Sequence, residues 1–582
     1  MSDWDYLTDL LVVGSGGGLT AAVTAANEGF DSLVIEKEDA IGGSTGMSGG
    51  VMWLPNNPLM ADEGVADTLE LGLEYFDSVV GPPTPASSLE RRTAYIEQGA
   101  AMVRLLQDEG VHFVRCEGYS DYYAGVPGYR GGLARGRAIE CDIFDGRELG
   151  PLLGKLRAAF AGGMIILTGE ASKAQVMFRS IDGMRFAAKV AGRTVGARLK
   201  REVRLTNGAA LVASLLRVLI ARSIPLWTGT SLVDLVLEDG QVVGAVVNRG
   251  GKQIRVRTRG GVLLNAGGFA RNREMREKYS GEQPNSGQWT HSNPGDTGEV
   301  IELAIKIGAA TDLMDEAWWI PTTILPDGTP TFIHGERSKP GCIIVDSNGN
   351  RYFNETVSYM EAGQRMYQQD KIVGAVPSWF IMDSRFMRRY PIGFKPPMYV
   401  PKDWLKSGFL KKADSLSDLA AACDIDEEVL NSTVERFNGF AARGTDDDFH
   451  RGEGDHERFW GDPSNKPNPC LGPIDKPPFY AFRLYPGDVG TSGGMLCDEY
   501  SRVLDKGGDP VPGLYASGNS TASVMGRTYP GAGASIGASM VFAYIASKHA
   551  TTRAVETAVR RNSVFRKESV DLESAVNDMR HE

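Results

Sequence analysis

Apolar residues in this chain gather in short runs that break off at glycine. Leu10-Leu11-Val12-Val13 ends at Gly14, and Val262-Leu263-Leu264 leads through Asn265-Ala266 to Gly267. The first run predicts a strand over Asp9–Val13, a turn over Gly14–Gly18, a helix over Leu19–Glu28 closed by Gly29, and a strand over Asp31–Glu36. That order is one β-turn-α-β unit. Glu36 stands about 20 residues beyond the turn, where a dinucleotide fold carries the acid for its ribose. Glycine N–H groups and the helix N-terminus of such a unit face a pyrophosphate. The strict third glycine of that fingerprint falls on Leu19, which leaves its job to Gly18.

A loop dense in glycine and hydroxyls, Gly42-Gly43-Ser44-Thr45-Gly46-Met47-Ser48-Gly49-Gly50, follows directly and offers many donors to phosphates and a flat ring. Ser231–Glu238 and Gln241–Asn248 flank Asp239-Gly240 and read as a β-hairpin. Near the C-terminus, Pro512–Asn519 and then Tyr529–Gly537 lead into an apolar helix. Glycine-ended strands so far apart imply an α/β fold with a Rossmann-like nucleotide-binding domain assembled from discontinuous segments. The expected divisions are 1–291 and 480–550 for that domain, 292–479 for an inserted α+β catalytic domain, and 551–582 for a charged helical tail.

At 582 residues the chain is too long for one core. Its 71 glycines exceed the ordinary share, as expected where backbone must approach a ligand closely. A net charge of −11 argues against nucleic acid as a partner. No apolar run is long enough to span a membrane, and the acidic N-terminus lacks an export signal. Six scattered cysteines without paired spacing fit a reduced, cytoplasmic setting, and the seven histidines show no metal-ligand spacing. G-x-S-x-G occurs around Ser44, Ser48 and Ser535, but none has the strand-turn-helix context of a nucleophile elbow. No strand precedes Gly531–Gly537, so a bound NAD(P)H is not expected. The stretch 155–204 holds eleven Lys/Arg against three Asp/Glu, with apolar residues interleaved. It reads equally as a peripheral membrane patch or as a solvated linker or lid over the site.

These motifs, with DYY at Asp121–Tyr123, RYFNETVSY and GLYASGNSTASVMGRTYPGAGASIG, resemble the flavoproteins of the fumarate reductase/3-oxosteroid dehydrogenase class. The resemblance is closest to the 3-oxosteroid 1-dehydrogenases and covers nearly the whole chain. It implies FAD bound non-covalently at Ser15, Gly16, Gly17, Gly18, Glu36, Lys37, Gly43, Ser44, Thr45, Ser48, Gly50, Ala266, Gly267, Gly518, Asn519, Ser535 and Ile536. It also implies a 3-oxosteroid substrate, with Tyr359 as base and Tyr122 as its hydrogen-bonded neighbour. Tyr529 and the N–H of Gly533 would hold the C3 oxygen.

The chemistry is coherent. The C3 ketone acidifies C2–H, so a base at C2, a donor pair on the ketone and a flavin accepting the C1 hydride suffice to form C1=C2. The difficulty is the base, because ionising an unperturbed tyrosine at pH 7 costs about 4 kcal/mol. Formation of C4=C5, fumarate-reductase-like chemistry and a non-catalytic electron carrier are the competing readings. Trp318, Trp319, Trp379 and Phe380 are expected to suit a flat apolar ligand, and a quinone-type acceptor fits an enzyme drawing sterols from a bilayer.

Overall fold

The computed structural model describes residues 4–157, 163–281, 285–393 and 395–555. Residues 556–582 of the expected tail lie outside them. The protein is a mixed α/β fold built on two large sheets. In the first, Tyr6–Val13 pairs in parallel with Ser32–Ile35 on one side and Lys252–Leu264 on the other. Pro510–Ala516 extends the sheet beyond Lys252–Leu264, and Leu226–Trp227 extends it beyond Ser32–Ile35.

Burial on both faces explains the unbroken apolar runs. Leu10 and Val12 join a core with the helices Leu19–Asn27 and Asn207–Ala221, whereas Leu11 and Val13 join the core on the opposite face. Each side chain so buried contributes about 1.5–3 kcal/mol. The helix Leu19–Asn27 starts at Gly18, where a Cβ would press on Gly14 O at 2.8 Å and Val12 Cγ1 at 3.0 Å. Gly18 thus permits the close helix–strand approach that the third glycine of the fingerprint provides. The hairpin is present as Thr230–Glu238 and Gln241–Arg249, with φ of 48° at Asp239 and 76° at Gly240. Both turn residues take the left-handed backbone that an Asp-Gly type I′ turn requires.

The second sheet is antiparallel, in the order Pro330–Phe332, Ala317–Ile324, Phe479–Thr491, Ser378–Met382, Cys342–Val345. Its side chains alternate. Cys342, Ile344, Phe380 and Met382 enter one core, and Ile343, Val345, Trp379 and Ile381 enter the other.

Sheet membership draws the division between the two units differently from the expected 292 and 479. The helix Glu299–Lys306 buries Val300, Ile301 and Ala304 in the same core as Leu11 and Val13 of the first sheet. Thr311–Asp312 pairs with Gly494–Met495, while Phe479–Thr491 lies wholly in the second sheet. Local pattern marks where a strand ends. Which sheet it joins depends on partners far away in the chain.

Candidate active site

At the carboxyl ends of Tyr6–Val13, Ser32–Ile35 and Lys252–Leu264 opens a cavity of about 1070 Å³, the place where open parallel sheets take ligands. One end is lined by Gly14, Ser15, Gly16, Glu36, Lys37, the loop Gly42–Val51, Ala266, Gly267 and Asp296. The other is lined by Tyr119, Tyr122, Phe332, His334, Tyr359, Trp460, Tyr529 and Gly533.

The first end is held by side chains from distant segments. Glu36 accepts from Ser15 Oγ at 2.6 Å and from the Ser15 N–H at 3.2 Å, which fixes the glycine turn against the second strand. Ser44 Oγ donates to Asp296 Oδ2 at 2.8 Å, and burial raises that carboxyl to about 7. Lys37 lies in the lining but pairs with Glu299 at 2.6 Å. Asn265 is the hub. It accepts from the Gly18 N–H at 2.8 Å and donates to Ser517 and Ser539 at 2.8 and 2.9 Å, joining three chain segments.

Gly43, Thr45, Ser48, Gly50, Asn519, Ser535 and Ile536 also face the cavity. Gly17, Gly18 and Gly518 do not. Gly17 and Gly518 pack on Ser539, and the Gly18 N–H is taken by Asn265. Their lack of a Cβ serves packing behind the turn. The backbone of Gly14–Gly16 and Gly42–Gly50 meets the cavity with little side chain in between. One continuous space thus runs from Glu36 to the tyrosines, and its donor-rich half fits a flavin dinucleotide.

At the aromatic end three tyrosines from separate segments meet. The Tyr359 ring lies 4.7 Å from Tyr529 and 5.7 Å from Tyr122, centroid to centroid. Tyr359 heads the helix Tyr359–Asp370, and Tyr529 precedes the helix that begins at 534. The Tyr529 hydroxyl is 3.2 Å from Ser535 Oγ. Gly533 has φ 84°, and a Cβ there would collide with the Val51 carbonyl oxygen, so only glycine fits. As the residue before a helix, its N–H belongs to the set with no intrahelical acceptor. The Tyr122 hydroxyl lies 3.4 Å from that of Tyr119, which in turn stands 3.5 Å from His334 Nε2. Tyr122 therefore shares its hydroxyl with a third tyrosine as well as edging onto Tyr359.

Burial pushes the Tyr359 hydroxyl well above the ordinary tyrosine pKa, and Tyr529 and Tyr122 add to this. Arg337 stands close by and interacts with Tyr122. This buried guanidinium donates to the carbonyls of Ile333 at 3.1 Å, Glu355 at 2.5 Å and Val357 at 3.3 Å, on the segments leading to His334 and Tyr359. Burial, then Arg337, holds His334 low and brings His456 down to about 3, so both rings are neutral. The N-terminus of the helix Tyr359–Asp370 adds positive potential beside Tyr359.

The stretch 155–204 reaches this site. Among its described residues Met164, Ile166, Leu167, Ala174, Met177 and Phe178 line the cavity. It is latched by Glu140, which accepts from the N–H groups of Thr168 and Gly169 at 2.8 Å each. Of the four aromatics expected to meet a flat ligand, none lines the cavity. Trp319, Trp379 and Phe380 fill cores, and Trp318 packs behind Tyr529 at 5.2 Å. Phe332, Trp460 and Phe178 take that place. Sequence reading missed Phe332 and Trp460, along with His334 and Asn265, because no motif surrounds the first three and Asn265 looked like the end of a strand. Asp296 lies in Pro294-Gly295-Asp296-Thr297-Gly298, whose two flanking glycines were the available signal.

A family model described as FAD binding domain matches residues 9–536. The chain is 39% identical over 555 residues to a 3-oxosteroid 1-dehydrogenase of Mycolicibacterium smegmatis, covering 93% of this chain and 96% of that one. It is 33% identical to a 4-oxocyclohex-2-ene-1-carboxylate 5-dehydrogenase of Sinomonas cyclohexanicum, covering 93% of each. The crystal structure of a 3-ketosteroid delta1-dehydrogenase from Sterolibacterium denitrificans, in complex with 1,4-androstadiene-3,17-dione, superposes with a TM-score of 0.87 at 36% identity, covering 94% of this chain and 99% of that one. With the dinucleotide cradle and the tyrosine cluster joined in one cavity, the chain belongs to the FAD-dependent oxidoreductases, within the family of the 3-oxosteroid 1-dehydrogenases.

Proposed function

We propose that this protein is an FAD-dependent 3-oxosteroid 1-dehydrogenase, forming the C1=C2 bond of the A ring. The observation that carries the reading is the meeting of Tyr359, Tyr529 and Gly533 on one wall of a largely apolar pocket. Tyr529 O–H and Gly533 N–H donate to the C3 oxygen, and the helix beginning at 534 lends its positive end as charge develops there. Tyr359 accepts the C2 proton. Tyr122 shares that proton's charge through its hydroxyl, with Tyr119 behind it. FAD, when bound, supplies the acceptor for the hydrogen that leaves C1 with its electron pair. Ser15, Gly16, Glu36, the Gly43–Gly50 loop, Ala266 and Gly267 hold that cofactor in a Rossmann-like domain assembled from discontinuous segments. The second sheet supplies the inserted catalytic unit. Reduction of a dicarboxylate would need cationic clamps, whereas the polar groups at the tyrosine end are hydroxyls, a backbone N–H and the neutral ring of His334.

The test is anaerobic. Adding 4-androstene-3,17-dione to the yellow holoenzyme should bleach the flavin band, with the 1,4-diene identified by NMR. An unchanged band and unchanged steroid would sink the reading.

A quinone-type acceptor and peripheral membrane contact complete the proposal. Among the described residues no helix is long and apolar enough to cross a membrane. The helix Ile181–Leu199 does expose Ile181, Met184, Val195 and Leu199 among Arg185, Lys189 and Arg198. That combination suits an anionic bilayer surface. The protein is expected to sediment with vesicles containing anionic lipid and to be released by Leu199→Glu with Met184→Glu. Equal recovery in the supernatant with and without vesicles would remove the membrane contact.

A further inference from the structure

We propose that Arg389 forms a carboxylate-binding subsite at the end of the cavity remote from Tyr529, selecting 3-oxosteroids whose side chain ends in an anion. The inference rests on the dehydrogenase reading above. Arg389 closes the helix Ser384–Arg389 and lines the cavity beside Pro391, Pro396 and Pro397. It is half-buried, and it makes no hydrogen bond or ion pair with any described residue. Its helix neighbour Arg385, by contrast, is committed to Asp383 and Asp475. A guanidinium without a carboxylate on the wall of an apolar pocket is an unfilled anion site, and its planar fork matches a carboxylate in two parallel hydrogen bonds.

Its place in the cavity follows from a chain of contacts. Tyr529 touches Tyr359, and Tyr359 lies 5.3 Å from the His334 ring. Gly335 packs on Gln175, two residues before the cavity-lining Met177 and Phe178. Arg179 then binds Asp462 at 2.9 Å, and the same carboxylate accepts from the Tyr390 hydroxyl at 2.7 Å. Arg389 immediately precedes that tyrosine. It stands where the covering segment meets the second unit, and this path of contacts joins it to the ketone-binding pair. A steroid is rigid. With its C3 oxygen at Tyr529 and Gly533, only the substituent at C17 projects to the far end.

The surrounding charges favour an incoming anion. Of the carboxylates lining the cavity, Glu36, Asp296 and Glu299 belong to the dinucleotide end. Glu336, nearer in the fold, is pushed by burial toward its neutral form. Tyr390 and the Arg179–Asp462 pair fix the helix that presents Arg389, so little freedom is lost when the pair forms.

The test compares 3-oxochol-4-en-24-oate with its methyl ester, which share rings and tail and differ in charge. The holoenzyme is expected to show a kcat/KM about tenfold higher for the acid. The ratio should shrink as salt is raised. Arg389→Gln should bring it to about one, chiefly through KM for the acid, and Arg389→Lys should recover part of it. Because acid and ester are read on the same preparation, a general loss of folding leaves the ratio intact. Equal use of acid and ester by the native enzyme, or an unchanged ratio in Arg389→Gln, overturns the subsite. Androst-4-ene-3,17-dione separates the two levels. If it is not dehydrogenated, the proposed function fails. If it is dehydrogenated and the acid-to-ester ratio is one, only the subsite is lost.

Discussion

Tyr359→Phe is expected to cut turnover by about 10²–10⁴-fold, the range a positioned general base supplies, while FAD absorbance and steroid binding persist. The ring packs against Tyr529, Tyr122 and His334, and phenylalanine keeps those contacts. Only the hydroxyl goes. Stopped-flow flavin reduction with a separate steroid-binding titration distinguishes lost chemistry from lost binding. Near-normal reduction would overturn Tyr359 as the base. The same hydroxyl sets the pH dependence. Burial raises its pKa well above the ordinary value, so the neutral form dominates at pH 7 and the reactive tyrosinate grows as pH rises. The reduction rate of the native enzyme should therefore climb between pH 7 and 9. A flat or falling profile counts against a tyrosinate base. The start of the helix Tyr359–Asp370 keeps that climb within reach, since positive potential lowers the cost of the anion.

Tyr529→Phe should lower kcat by about 10²–10³-fold with a smaller rise in KM, as removal of one oxyanion donor does. The asymmetry has a physical cause. The ketone oxygen gains negative charge as the C2 proton leaves, so a hydrogen bond to it strengthens along the reaction and is worth most at the barrier. In the protein the hydroxyl's neighbour is Ser535 at 3.2 Å, and the ring's packing on Trp318 does not depend on it. A thermal melt should therefore move little. Full activity in this variant would overturn the Tyr529–Gly533 donor pair. A large rise in KM with kcat unchanged would show instead that the hydroxyl binds ketone and transition state equally.

The contrast between the two ends of the cavity shows what can be read from a chain. Around Glu36 the chemistry is local. A strand, a tight turn, a helix and a second strand within forty residues must bring Ser15 to Glu36, because the parallel register Leu10↔Ser32 to Val13↔Ile35 leaves no other arrangement. The hairpin at Asp239-Gly240 was legible for the same reason, since left-handed backbone at two adjacent residues is a local property. Tyr359, Tyr122, Tyr529 and Gly533 were found through motif resemblance, and nothing in their spacing says that they touch.

The remainder belongs to the tertiary structure. Gly17, Gly18 and Gly518 look like ligand glycines in sequence, but Ser539 and Asn265 occupy the space and the donor. Trp319, Trp379 and Phe380 look like a ligand wall, but period-two alternation in a sheet covered on both sides sends them into cores. Whether 155–204 covers the site could not be read from its charge. The latch from Glu140 to Thr168 and Gly169, and the placement of Met177 and Phe178, decide that. By itself the sequence determined the strands, turns and nucleotide-binding unit, because those depend on backbone preference and burial pattern within a few dozen residues. Only the tertiary structure decided which side chains share the cavity, because each contact joins segments up to hundreds of residues apart and its energy is realised only when both are in place.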